Sequence, residues 1–172
     1  TAALHLMRTG AAGVLVGFGG GAAHTTRRAL GIHAPTASAI ADVAAARRDY
    51  LDESGGRYVH VIADGGIGTS GDLVKAIACG ADAAMLGATL ARASEAPGGG
   101  YHWGHEAHHQ LLPRGERVRV GVRGSLKEIL FGPGRSADGS TNLIGALRRA
   151  MATTGYSDLK EFQRVEVVVS PY

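Results

Sequence analysis

The 172-residue chain has a single cysteine, Cys79, which excludes an internal disulfide and fits a reducing compartment. It also lacks any apolar run approaching the eighteen or so residues that a membrane span requires, so no membrane partner is expected. Thr1 opens directly on the amphipathic stretch AALHLMRTG, and no charged-then-apolar leader is expected. The expectation is a cytoplasmic chain, or a piece of something larger. A large excess of one charge sign is lacking as well. The net charge is +3, and the arginines fall in separated pairs (Arg27-Arg28, Arg47-Arg48, Arg148-Arg149) with no long basic stripe. A nucleic-acid partner is therefore not expected, whereas a mild basic lean suits a small phosphorylated metabolite.

What the chain has is a strand–helix alternation rich in glycine. GVLVGF (13–18), RYVHVIAD (57–64) and DAAMLG (82–87) are short apolar runs, each with glycine at or just after its end, and each predicts a buried parallel strand. TASAIADVAAARRDYLDES (36–54) and SGDLVKAIACG (70–80) have helical spacing between them. For the second, Ser70 is the expected N-cap, Asp72 lies in the first turn and Gly80 stops the helix. RTGAAGVLVG (8–17) and ACGADAAMLG (78–87) repeat one plan: helix end, Gly-Ala, apolar run, glycine. Such an echo suits a (β/α) barrel, although an open doubly wound sheet would produce it too. Three strands cannot close a barrel of eight, which takes about 250 residues. The expectation is the C-terminal half of a longer barrel, whose free sheet edge would be an aggregation hazard.

From Pro97 to Gly139 the pattern breaks into a glycine- and histidine-rich excursion, read as a lid within one domain spanning 1–172. A helix over 140–155 follows, capped by Ser140 or Thr141, then a short helix over 157–163 and an extended arm, VEVVVS (165–170).

Gly19-Gly20-Gly21, Asp64-Gly65-Gly66 and Gly87-Ala88 all fall at predicted strand ends, where such folds bind ligands. Loops stripped of side chains present backbone N–H groups to an anion, which argues for a phosphate. Asp64 cannot hold a phosphate itself but suits ribose hydroxyls. The bland alternative is that the glycines only shape turns. HEAHH (105–109), with Glu128 as a third ligand, matches a zinc pattern. It lies in an irregular, histidine-rich stretch, and a chance match is the preferred reading. Cys79, at a helix end just before a strand, is expected at the opposite end from the ligand loops and reads as a buried structural thiol.

Together IADGGIGTSGDLVKAIACGADAAMLG, the preceding VGFGGGAAHTTR (16–27) and the following NLIGALRRAMATTGYSDLKE resemble the IMP dehydrogenase / GMP reductase family, in particular its IMP dehydrogenase-related subfamily. The resemblance spans Thr1 to about Val169. It implies an aldolase-type (β/α)8 TIM barrel and an NAD- or NADP-dependent oxidoreductase acting on a purine nucleotide, with homo-oligomers, commonly tetramers. Asp64 then matches the aspartate holding the ribose hydroxyls. Gly65, Gly66, Gly87, Ala88 and Gly21 fall in the substrate cradle, with alanine at 88 where serine is usual. Gly19, Gly21 and His24 match backbone carbonyls that hold potassium (K+) in many members, and Thr26 matches the threonine beside the nucleophile. That nucleophile is the departure. The resemblance implies cysteine at position 24, attacking the purine C2 before hydride exchange with the nicotinamide. This chain has His24, and Ala22 replaces a phosphate-contacting serine. Tyr101, Trp103 and His105 occupy the lid region where an Arg-Tyr pair and a Gly-Met-Gly-Ser segment would be expected. Two alternatives stand beside an active enzyme: a non-catalytic purine-nucleotide binder, and an FMN-dependent barrel oxidoreductase.

Overall fold

The computed structural model describes residues 1–104 and 116–170. Three strands, β1 (Gly13–Val16), β2 (His60–Asp64) and β3 (Ala83–Met85), form a parallel sheet in the order β1-β2-β3. Val14 pairs with Val61, and Ile62 with Ala83. The predicted strands are therefore present, each shorter than its apolar run. The connections are helical: α1 (Ala2–Arg8) enters β1; α2 (Thr26–Leu30) and α3 (Thr36–Glu53) join β1 to β2; α4 (Ser70–Ala78) joins β2 to β3. Helical crossovers between sequential parallel strands make this an α/β fold.

The pleat sorts side chains by face. Val14, Val16, Val61 and Ala63 are buried on the helix side with Met7, Ile40, Leu73 and Ile77. Leu15 and Met85 lie on the other face, 55% and 48% exposed.

Several helix ends differ from expectation. Thr69 caps α4, not Ser70. Its hydroxyl accepts from the Asp72 N–H (3.3 Å) while the Asp72 carboxylate accepts from the Thr69 N–H (3.0 Å). A reciprocal box needs the acidic residue three places after the cap, which selects Thr69. The helix over 140–155 is α7 (Leu143–Thr153) and starts later, with Asn142 at its N-cap in the left-handed region (φ 56°). Neither Ser140 nor Thr141 caps it. Ser140 is taken up by Asp138, to which its N–H and hydroxyl both donate (3.0 and 2.6 Å).

The described parts of the excursion, 97–104 and 116–139, hold more order than their composition predicts. After α5 (Ala88–Ala91), β4 (Tyr101–His102) pairs antiparallel with β5 (Val118–Arg119), and α6 (Leu126–Phe131) follows under a Ser125–Glu128 capping box. The last helix, α8 (Leu159–Phe162), is capped by Asp158. Val165 packs half-buried against the core, the arm over 166–170 is exposed, and none of these residues pairs in a strand among the described residues. No helix among the described residues is long and apolar enough to cross a membrane.

Candidate functional site

The loops leaving β1 and β2 pack backbone against backbone. A Cβ on Gly17 would lie 1.8 Å from the Asp64 carbonyl oxygen. Gly65 has φ +91°, and a Cβ there would sit 3.1 Å from the Gly21 nitrogen. Glycine is thus required on both sides, because two chains approach where no side chain fits. The result is a bare backbone floor at the C-terminal ends of the strands.

Two adjoining cavities open on this floor. One, of 290 Å³, is lined by Gly21, His24, Asp64, Gly65, Gly66, Gly87 and Ala88, among others. The second, of 300 Å³, is lined by Gly17, Phe18, Gly19, Gly21, His24, Thr26, Leu30, Asp64 and Gly65. All nine candidate residues read from the sequence therefore converge here, and Gly21, His24, Asp64 and Gly65 border both spaces. His24 is exposed on a tight turn, its N–H donating to the Gly21 carbonyl (3.1 Å). A Cβ on Gly21 would meet the His24 Nδ1 at 2.4 Å, so the imidazole lies against the glycine loop. Asp64 is half-buried at the end of β2, and Thr26 begins α2.

The remaining chemistry-bearing residues lie elsewhere. Cys79 is the C-cap of α4, before β3, and lines neither cavity. Burial pushes its thiol above the ordinary range, only partly offset by Lys75, which leaves it a poor nucleophile. His105 and His109 of the zinc pattern lie outside the described residues. Glu128, the third ligand of that pattern, caps its own helix and pairs with Arg135 at 2.6 Å.

The chain matches the model of the IMP dehydrogenase / GMP reductase domain over residues 1–115. It belongs to that family. An uncharacterized oxidoreductase of Mycobacterium leprae is 60% identical over 171 residues, covering 98% of this chain and 46% of that protein. The inosine-5'-monophosphate dehydrogenase of Methanocaldococcus jannaschii is 34% identical over 206 residues, covering 99% of this chain and 38% of that protein. A crystal structure of an IMP dehydrogenase/GMP reductase-like protein from Corynebacterium glutamicum superposes with a TM-score of 0.90 at 56% identity, covering 98% of this chain and 44% of that chain. The chain thus spans about half the length, or less, of the curated relatives it matches.

Two cavity residues of this family member went unread in the sequence. Arg92, just after α5, and His102, on β4, both line the 290 Å³ cavity. His102 sits over the third glycine loop, where a Cβ on Gly87 would lie 3.1 Å from its Cε1. Burial, and then the nearby His24, hold its imidazole below the usual histidine range. Arg92 donates from Nη1 to the Gly68 carbonyl (3.0 Å), while its Nε is buried with no hydrogen-bond partner among the described residues. Only a pairing across the excursion, between β4 and β5, places His102, and no local period announces it.

Proposed function

We propose that this chain is the C-terminal, nucleotide-binding half of a (β/α)8 barrel in a cytoplasmic NAD- or NADP-dependent purine-nucleotide oxidoreductase, either oxidising IMP to XMP or reductively deaminating GMP. The observation that carries this reading is the convergence of nine residues from three separate loops on two adjoining cavities. Asp64 accepts hydrogen bonds from the ribose hydroxyls, and the backbone at Gly66, Gly87 and Ala88 cradles the phosphate. Residues 97–139 form the lid, and the protein works as a homo-oligomer.

His24 stands where the family's thiolate belongs, so the covalent adduct at purine C2 is lost from the scheme. Imidazole moves protons well near neutrality and attacks purine carbons poorly. In IMP oxidation His24 takes a proton from the water that adds at C2. In GMP reduction it protonates the departing amine. Thr26 orients the histidine's side of the loop. When bound, a nicotinamide cofactor supplies the hydride exchange. The 300 Å³ cavity fits one flat ring, with exposed Phe18 and Leu30 and the Thr26 side chain to hold it beside His24. The donor set also fits potassium, through the carbonyls of Gly19, Gly21 and His24. The Gly21 carbonyl accepts one hydrogen bond from His24 and keeps a second lone pair for a cation.

Turnover is tested with IMP and NAD, or GMP and NADPH, on the intact gene product, following nicotinamide absorbance at about 340 nm. Turnover that His24→Ala reduces by about 100-fold or more supports the acid–base role. Turnover that the variant leaves unchanged removes His24 from the chemistry. Asp64→Ala is expected to weaken nucleotide binding by about 100-fold, since two charge-assisted hydrogen bonds to the ribose diol are lost. Calorimetry against the 2′-deoxynucleotide supplies the matching control, because a ligand lacking one hydroxyl should respond less to the substitution.

The second reading is a purine-nucleotide binder without turnover, and the residue at position 24 favours it directly. Among the side chains lining either cavity there is no thiol, and the only cysteine, Cys79, caps the C-terminal end of α4 and lines neither. It predicts binding in the micromolar range with no change in nicotinamide absorbance. The absence of binding by any purine nucleotide would sink both readings.

A further inference from the structure

We propose that Arg92 and His102 form a two-part anion site in the 290 Å³ cavity, one permanent cation and one imidazole that takes up a proton as a phosphate monoester arrives. This rests on the nucleotide-binding reading above and adds to it the residues that sense the phosphate.

The two side chains approach one space from different elements: Arg92 from the end of α5 and His102 from β4. The same cavity is lined by Gly66, Gly87 and Ala88, which carry no side chain beyond a methyl group. His102 is packed on Gly87, with Cε1 and Nε2 within 3.1 and 3.3 Å of where a Cβ would be. Anything touching the backbone there therefore meets the ring. Arg92 is anchored by the Gly68 carbonyl through Nη1, yet its Nε–H is buried with no partner among the described residues. Arg92 thus lines the cavity with its guanidinium already held by a backbone carbonyl, so the cation's orientation is set before an anion arrives. A phosphate offers the geometry a guanidinium binds best.

Among the described residues, the charged and titratable groups around His102 are few. His24 faces it from the glycine loop, Asp64 borders the cavity from β2, and Arg92 does so from α5. On the hairpin, Arg117 stacks on the rings of Tyr101 and Trp103 (4.7 and 5.1 Å), the two residues flanking His102, and Arg119 pairs with Tyr101. Among the described residues, Asp64 is the only acid lining that cavity. Burial, and then the neighbouring His24, hold the His102 imidazole below the usual histidine range. A phosphate dianion reverses the balance and draws a proton onto the ring. Binding is then linked to proton uptake between the free and bound pKa values, and affinity falls as pH rises through that window.

The test is calorimetry of the intact gene product with GMP, inorganic phosphate and guanosine, each in two buffers of different ionisation enthalpy. GMP and phosphate should bind with net proton uptake, and guanosine with none. GMP affinity should weaken about tenfold from about pH 6.5 to about pH 8.5. The ligand's own second ionisation, near pH 6, pulls the opposite way, so the direction is diagnostic. His102→Gln should abolish the uptake and flatten the pH profile. Arg92→Met should weaken GMP about tenfold while keeping the uptake. GMP binding without proton uptake in the unaltered protein overturns the proposal even if the variants do not fold, as does uptake that survives His102→Gln or accompanies guanosine. Phosphate binding with uptake while GMP fails to bind keeps the anion site and overturns the nucleotide reading. Binding of neither overturns both.

Discussion

Asp82→Ala is expected to cost about 3–5 kcal/mol of stability, lowering the midpoint of thermal unfolding by about 10 °C or more. Asp82 stands just before β3 with its side chain 7% exposed. One carboxylate oxygen accepts from Arg47 Nη1 (2.6 Å) and from the Val61 N–H (2.8 Å). The other accepts from the Tyr58 hydroxyl (2.6 Å), from Gln163 (3.1 Å) and from the Lys160 ammonium. One residue thereby joins β2, β3, α3 and α8. Removing it strands Arg47, whose side chain is 9% exposed, as an unpaired buried cation, and this is the main cost. Lys160, 55% exposed, can turn to water, so Lys160→Ala should cost no more than about 1 kcal/mol. A double variant, Arg47→Met with Asp82→Ala, should recover much of the loss, because neither charge is then stranded.

The same group gives stability an acid dependence. Burial alone would raise the Asp82 pKa, but hydrogen bonds from Lys160, Tyr58, the Val61 N–H and Gln163 outweigh it and hold the carboxyl far below the usual range. A depressed folded pKa means the contribution is complete above the unfolded value of about 3.9 and drains away as pH falls toward the folded one. The unfolding midpoint should drop as pH falls below about 4, and Asp82→Asn should flatten that slope. An unaltered slope in Asp82→Asn would place the acid sensitivity elsewhere.

How much of this was legible follows from how local each signal is. The three strands and their glycine ends are written in consecutive residues, and the loops they predicted are the ones that meet. Thr69 shows the limit of a one-residue cue. Ser70 and Thr69 are both good caps, and the position of Asp72 decides between them. Asp82 is only the first residue of the predicted strand DAAMLG in the sequence, because its partners come from as far away as Lys160 and Gln163. His102 and Arg92 were missed for the same reason. The β4–β5 pairing that seats His102 joins two-residue strands with no period to detect, and Arg92 reads as the end of a helix. Local chemistry is legible where the backbone makes the site, and is hidden where side chains reach it from a distance.

Gly17→Ala should be nearly as damaging to stability as loss of Asp82, and more damaging to ligand binding. The new methyl would begin 1.8 Å from the Asp64 carbonyl oxygen and 2.9 Å from its carbon, against backbone that cannot rotate away. One residue earlier, Val16 is paired with Ala63 in the sheet, so relief requires the ends of β1 and β2 to part. The cost is about 3 kcal/mol, the upper end for added core volume, and Asp64 shifts away from the loops it faces across the cavities. Gly20→Ala is the discriminating control. Its Cβ would meet nothing nearer than the Gly65 carbonyl carbon at 3.5 Å, an ordinary contact, so stability should change by no more than about 0.5 kcal/mol. Both changes add one methyl group to the same glycine run. If thermal unfolding and GMP calorimetry separate them, the bare backbone is required at the point where the two loops cross, and glycine content as such is not what the site depends on. If both variants behave alike, the floor is more yielding than its close approach implies, and the ribose and phosphate positions argued from it lose their rigid support.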